Sequence, residues 1–205
     1  MFRLIFITSI LISTNSYAGY HSGKIGIDKK FDKFSLNFDT DYRYNDTGLY
    51  YRHYDAGIKI PFKKDWSSSI NFRSTYQYKN GKWRLEKRPH IQLNKKFNME
   101  LIKISIRTRQ EYRYENNDTE STRNRSKLLL KSRKTILGVT PFIGNEWFYD
   151  MDVNKYNKNW FSTGVELSRT QHSKYIIYYR HLTTLEEQGN WTSSYSLVFK
   201  YVYSF

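Results

Sequence analysis

Counting back from the carboxyl terminus, Phe205, Tyr203, Tyr201, Phe199, Leu197 and Tyr195 occupy every second position, with Ser204, Lys200, Ser196, Ser194 and Thr192 among the residues between them. A period of two sets all the large apolar and aromatic groups on one face of a β-strand. The chain therefore closes on a two-faced strand, and its fold must either cover the aromatic face or immerse it in something apolar. The edge strand of a soluble sandwich does the first; the wall of a membrane barrel does the second.

The same alternation runs through the chain. Ile25 and Ile27 pattern a weaker segment, 24–30. Phe34, Leu36, Phe38, Tyr42 and Tyr44 alternate with Ser35, Asn37, Asp39, Asp41 and Arg43. Tyr54, Ala56, Ile58 and Ile60 stand opposite His53, Asp55 and Lys59. Further on, Ile70, Phe72, Tyr76 and Tyr78 oppose Asn71, Arg73, Thr75 and Gln77, and Lys79-Asn80-Gly81 carries the Asn-Gly hairpin signal. Trp83, Leu85 and Ile91 oppose Arg84, Glu86, Arg88, His90 and Gln92. The clearest segment turns Ile102, Ile104, Ile106, Tyr112 and Tyr114 one way, and Lys103, Arg107, Arg109, Glu111, Arg113 and Glu115 the other. Across a polar loop, Arg123, Arg125, Lys127, Lys131 and Arg133 oppose Leu128 and Leu130. Two more segments set Val139, Pro141, Ile143 and Trp147 against Thr140, Gly144 and Glu146, then Phe161, Thr163, Val165 and Leu167 against Ser162, Gly164 and Glu166. Residues 175–180 are apolar on both faces, so their orientation stays open. Few stretches hold apolar residues at i, i+3, i+4 and i+7, which excludes a helical fold.

Composition decides between the two settings. Aromatic residues make up 18%, with 19 Tyr and 13 Phe, yet mean hydropathy is −0.77. Lipid-facing apolar residues alternating with polar lumen residues, plus aromatic girdles, produce that combination. The expected fold is all-β: a single antiparallel transmembrane β-barrel. Eleven strands are visible, but bacterial single-chain barrels use even numbers, so about twelve strands are expected, with ten as the alternative. The longer connections at 115–121, 150–158 and 183–190 are expected outside the cell, and the tight ones at 61–65, 94–98 and 169–173 in the periplasm.

Residues 1–18 read as a secretory signal peptide, with Arg3, an apolar core and the small-x-small site Ser16-Tyr17-Ala18. Residues 19–205 then form the barrel domain, located in a bacterial outer membrane. With no cysteine, neither disulfides nor thiolate chemistry is available. The formal charge of +15 invites a nucleic-acid reading, but export and the lack of a basic helix argue against that partner. The expected partners are outer-membrane lipid, the barrel-assembly machinery during insertion, and small anionic solutes. No cofactor or metal is expected.

The chain resembles the DUF2490 family of bacterial outer-membrane barrels. The likeness rests on Phe34-Ser-Leu-Asn-Phe-Asp-Thr-Asp-Tyr-Arg-Tyr-Asn45, Arg107-Thr-Arg-Gln-Glu-Tyr-Arg-Tyr-Glu115, Arg123-Asn-Arg125, Thr140-Pro-Phe-Ile-Gly-Asn-Glu-Trp-Phe-Tyr149 and Gly164-Val-Glu166. Asn159-Trp160 departs from it, because a basic residue is expected after the Asn. The resemblance implies an outer-membrane barrel and no established activity. The last strand separately resembles the closing strand of bacterial outer-membrane barrels, which implies that Phe205, Tyr203, Tyr201 and Phe199 form a carboxyl-terminal signature read by the insertion machinery. A fainter similarity, to small Arg-rich oligosaccharide porins, rests on the Arg tracks and Tyr203-Ser-Phe205.

On the inward face, Arg107, Arg109, Arg113, Arg123, Arg125 and Lys127 form a basic stripe broken by Glu111 and Glu115. Turning that stripe toward lipid would cost ~2–4 kcal/mol per charge near the midplane. Glu86, Glu111, Glu146 and Glu166 are inward acids, joined by Asp39, Asp41 and Asp55, and inward bases outnumber them. Three lumens remain open: a structural ion-pair network that plugs the barrel, an anion-preferring pore, and a specific binding site. An enzyme acting on lipid and a surface-adhesion barrel are the alternatives. His53 with Asp55 is the nearest approach to a catalytic pair, and no recognised catalytic constellation is present.

Overall fold

The computed structural model describes residues 20–115, 119–168, 170–186 and 188–205. The expected signal peptide, 1–18, lies outside the described residues. The described chain forms β1 (His21–Lys30), β2 (Ser35–Asn45), β3 (Gly48–Lys63), β4 (Trp66–Lys79), β5 (Lys82–Asn98) and β6 (Ile102–Glu115). It continues with β7 (Glu120–Ser132), β8 (Thr140–Asp150), β9 (Lys155–Ser168), β10 (Ser173–Leu185) and β11 (Trp191–Ser204). Each strand pairs antiparallel with the next, and β1 pairs with β11 to close the barrel.

The count corrects the expectation of twelve or ten strands: the described residues make eleven. Segment 24–30 belongs to a full wall strand and runs in the same direction as β11. The two therefore pair in parallel, His21 opposite Leu197 and Asp28 opposite Ser204. An odd number of alternating strands can close only through one such parallel seam. Phe205 locks its end, donating its N–H to the Asp28 carbonyl at 3.0 Å and accepting from Lys30 N–H at 3.0 Å.

Connections are short at both ends. Asn80 and Gly81 form the expected two-residue hairpin turn, both with positive φ (52° and 76°). The expected contrast between long outer loops and tight inner turns is not observed. Strands run on into the supposed loops, leaving 116–119, 151–154 and 186–190. The longest connection, 133–139, sits at the carboxyl-terminal end, where Ile136 and Val139 bridge across a left-handed Leu137-Gly138 turn.

The barrel is inside-out relative to a soluble core. Among the described residues, the buried apolar side chains are Tyr51, Phe148 and Val198 alone, while Asp41, Asp55, Glu86, Glu111, Glu146, Arg73, Arg109 and Arg125 are all buried. Ile25, Ile58, Ile70, Ile91, Ile106, Ile143, Ile177 and Phe199 stand exposed on the outer surface. Outward polar side chains gather on β6 and β7 toward the opposite end, where Asn124 donates to Thr108 (3.1 Å) and Gln110 (3.4 Å) and Ser126 approaches Thr108 (3.5 Å). The orientation of β10, open from sequence, is settled by register. Tyr178 lies opposite Gly164 and Val198, so Ile176, Tyr178 and Arg180 point inward and Tyr175, Ile177 and Tyr179 outward. Gly164 is required there, since a Cβ would come within 2.3 Å of the Ile177 carbonyl oxygen.

Candidate functional site: the charged lumen

The inward residues line a cavity of about 900 Å³ reaching from Asp28, Lys59 and Lys131 at the carboxyl-terminal mouth to Lys79 and Leu185 near the opposite one. All six residues of the expected basic stripe border it. Register sets Arg107 opposite Lys127, Arg109 opposite Arg125, and Glu111 opposite Arg123. Arg133 is the exception among the bases expected inside. It lies past the end of β7 and donates to the Met99 carbonyl at 2.9 Å.

Carboxylates divide the wall into clusters. Glu111, with no exposed side-chain surface, accepts from Arg123 Nη2 at 2.6 Å, Arg125 Nη1 at 2.8 Å and Arg109 Nη1 at 3.2 Å. Glu146 takes Arg107 Nη2 at 2.5 Å and Arg125 Nη2 at 2.8 Å, so Arg125 bridges the two acids. Glu86 is gripped by Arg88 through Nε and Nη2, both 2.6 Å, and by Arg113 Nε at 2.5 Å. Such forked, charge-assisted bonds fix both partners. Glu166 pairs with Lys131 at 2.8 Å. Arg113 serves Glu86 on the neighbouring strand rather than Glu111 on its own, and Arg84 makes no ion pair among the described residues.

A second set lies on β1–β4. Asp41 accepts from Ser22 Oγ at 2.5 Å, Lys24 Nζ at 2.8 Å and Arg43 Nη2 at 2.8 Å. Asp55 accepts from Arg73 Nη2 at 2.7 Å and Asn71 Nδ2 at 2.8 Å. His53 does not pair with Asp55, its same-face neighbour. Its Nε2 lies 3.1 Å from Asp39 Oδ1 and its Nδ1 3.0 Å from the Tyr51 hydroxyl. An ionised carboxylate only accepts, so Nε2 carries the proton and the hydroxyl donates to Nδ1. Lys200 completes this chain through Asp39 at 2.9 Å.

Deep in the lumen, Lys127, Lys158 and Arg180 have no carboxylate within ion-pair distance among the described residues. Lys127 stands opposite Glu146 in register without pairing. Arg180, 6% exposed, donates to the Tyr178 hydroxyl at 2.7 Å and stacks 4.5 Å over the Trp160 ring. Arg43 and Arg125 also face Trp160, at 5.2 and 5.4 Å. Sequence reasoning missed this aromatic–cation group. Lys158 falls in the expected loop 150–158, and the two-faced β10 concealed Arg180. Only the position of Trp160, two residues before Ser162 on the inward face, signalled it.

The family model described as "Protein of unknown function (DUF2490)" matches residues 21–193. Comparison with curated protein sequences gives no match. Among solved structures, an anion-selective porin from Comamonas acidovorans is similar over 84% of this chain, with 11% identity and a TM-score of 0.43. The match covers 53% of that porin, so the chain spans about half its length. With a family match over most of its length, this chain belongs to the DUF2490 family.

Proposed function

We propose that the protein is a non-enzymatic bacterial outer-membrane barrel whose lumen admits small anions in preference to cations. The membrane location rests on the inside-out side-chain distribution. An exposed surface of Ile, Leu, Phe, Tyr and Trp this extensive is tolerable only against lipid, and every strand, at 10–17 residues, is long enough to cross a bilayer. Outward bases keep to aromatic rims: Arg52 faces Tyr76 and Trp83 at 5.0 and 4.9 Å, and Lys95 faces Trp66 at 5.1 Å. The outward polar group on β6 and β7 marks wall that emerges into water at the end opposite Phe205. In this reading residues 1–18 direct export, and lipid and the barrel-assembly machinery are the structural partners.

The observation that carries the anion preference is the unneutralised set Lys127, Lys158 and Arg180. Low-dielectric walls around excess positive charge focus the field and draw in anions. Purified protein in a planar bilayer under a salt gradient tests this. The reversal potential should take the anion-selective sign, and a cation-selective sign contradicts the proposal. A second reading, a sealed structural barrel, is favoured by the immobilised Glu111 network and predicts no conductance.

A further inference from the structure

Lysine gathers at the carboxyl-terminal mouth, where Asp28 and Glu166 are the inward acids. At the carboxyl-terminal mouth six inward positions are lysine: Lys30, Lys59, Lys96, Lys103, Lys131 and Lys174, carried by β1, β3, β5, β6, β7 and β10. Lys103 lies directly opposite Lys131. Lys30, Lys59, Lys96 and Lys174 stand on four non-adjacent strands spread around the opening. Glu166 holds Lys131 at 2.8 Å and Lys174 at 3.6 Å. Lys30, Lys59, Lys96 and Lys103 make no ion pair among the described residues. At the other mouth Lys79 stands opposite Lys82, Glu115 pairs with Arg113 at 3.6 Å, and Asp150 accepts from Asn157 at 3.1 Å.

Most of the lumen arginines deeper in the barrel are held on fixed carboxylates, whereas these lysines are point charges on flexible stems. Such groups suit an anion of several linked charges and no single geometry. A monovalent anion reaches one or two of them and leaves the remaining repulsion in place; a chain of charges bridges several. Facing the lumen, they are turned away from lipid, which favours a soluble ligand over a headgroup. We propose that the carboxyl-terminal mouth is a docking vestibule for a soluble multivalent oxyanion, such as a short chain of phosphate groups. The proposal uses the lumen assignment, but binding at this mouth does not require an open pore.

The test is titration calorimetry of the folded full-length barrel in detergent with tripolyphosphate and with orthophosphate. Tripolyphosphate should bind at least tenfold more tightly than orthophosphate. The variant Lys59→Gln/Lys96→Gln/Lys103→Gln should lose at least tenfold in tripolyphosphate affinity, whereas the outward-facing control Lys29→Gln/Lys95→Gln should keep it. Equal affinity for both phosphates in the native protein overturns the vestibule, as does an equal loss in the control. Binding of phosphatidylglycerol micelles in preference to tripolyphosphate would show that a lipid headgroup is the ligand and overturn the soluble assignment. In planar bilayers, tripolyphosphate should block the current of the native protein and leave that of the triple variant unblocked; block that survives in the variant contradicts the vestibule. Calorimetric binding without conductance would remove the pore and keep the vestibule. Anion conductance without tripolyphosphate binding would do the reverse.

Discussion

Replacing Glu111 with alanine removes the acceptor for three guanidinium groups at once. Arg125 keeps Glu146, and Arg109 keeps Gln92 Oε1 at 3.1 Å. Among the described residues Glu111 is the only carboxylate paired with Arg123, which is then left against the Phe148 ring at 5.2 Å. Glu111 has no exposed side-chain surface and Arg123 only 10%, so water cannot readily replace the lost partner. Removing one member of a buried ion pair costs about 3–5 kcal/mol, because the other charge stays buried and unpaired. With a urea dependence of roughly 1–3 kcal/mol/M, the unfolding midpoint should fall by more than about 1 M. Tryptophan fluorescence of the barrel folded in lipid vesicles reads this, since Trp147 and Trp160 sit on the two strands after β7. Adding Arg123→Met to Glu111→Ala removes the orphaned charge and should recover at least about 1 kcal/mol, within the coupling range for residues in contact. A Glu111→Ala variant within about 0.5 kcal/mol of the native protein, or strictly additive effects in the double variant, would refute the reasoning.

Two further perturbations probe the wall and its closure. Gly164→Ala should destabilise the folded barrel by about 1–3 kcal/mol, because its Cβ meets the β10 backbone. Gly57→Ala, whose Cβ meets only the Asn71 side chain, should cost less in the same urea titration, and the opposite order contradicts the packing described. Deleting Phe205 removes both main-chain bonds that end the parallel seam and the ring beneath Lys29 at 4.7 Å. The fraction of protein with heat-modifiable gel mobility should drop, and an unchanged fraction contradicts a closing role for this residue.

The faces of nearly every strand were legible in the sequence, because period-two alternation between apolar and charged residues leaves one register that gathers the charged residues on a single face. The stripe from Arg107 to Lys127 and the inward acids follow from that rule alone. The rule failed where the lumen itself turns apolar. Phe142, Phe148, Trp160, Tyr178 and Val198 all point inward, with Phe142 6.0 Å from Tyr178 and Phe148 4.8 Å from Trp160. Around them neither face of β10 is polar enough to declare itself. Ion-pair partners were not legible either, since they depend on the stagger between strands. Arg107 reaches Glu146 across the whole width of β7, which no spacing along the chain reveals. Closure escaped for a similar reason. Parallel pairing of β1 with β11 joins residues some 176 positions apart, His21 with Leu197, and an even-number rule pointed elsewhere.

The central claim is that one face of each strand meets lipid and the other a wet, charged lumen. Single cysteines at 106 and 107, in a chain that has none of its own, test it most directly. In protein folded into vesicles, Arg107→Cys should react with a charged, water-soluble thiol reagent. Ile106→Cys, at a position 45% exposed on the outer surface, should react with a lipid-soluble one. The reversed pattern would contradict the register of β6 and β7, and the lumen with it.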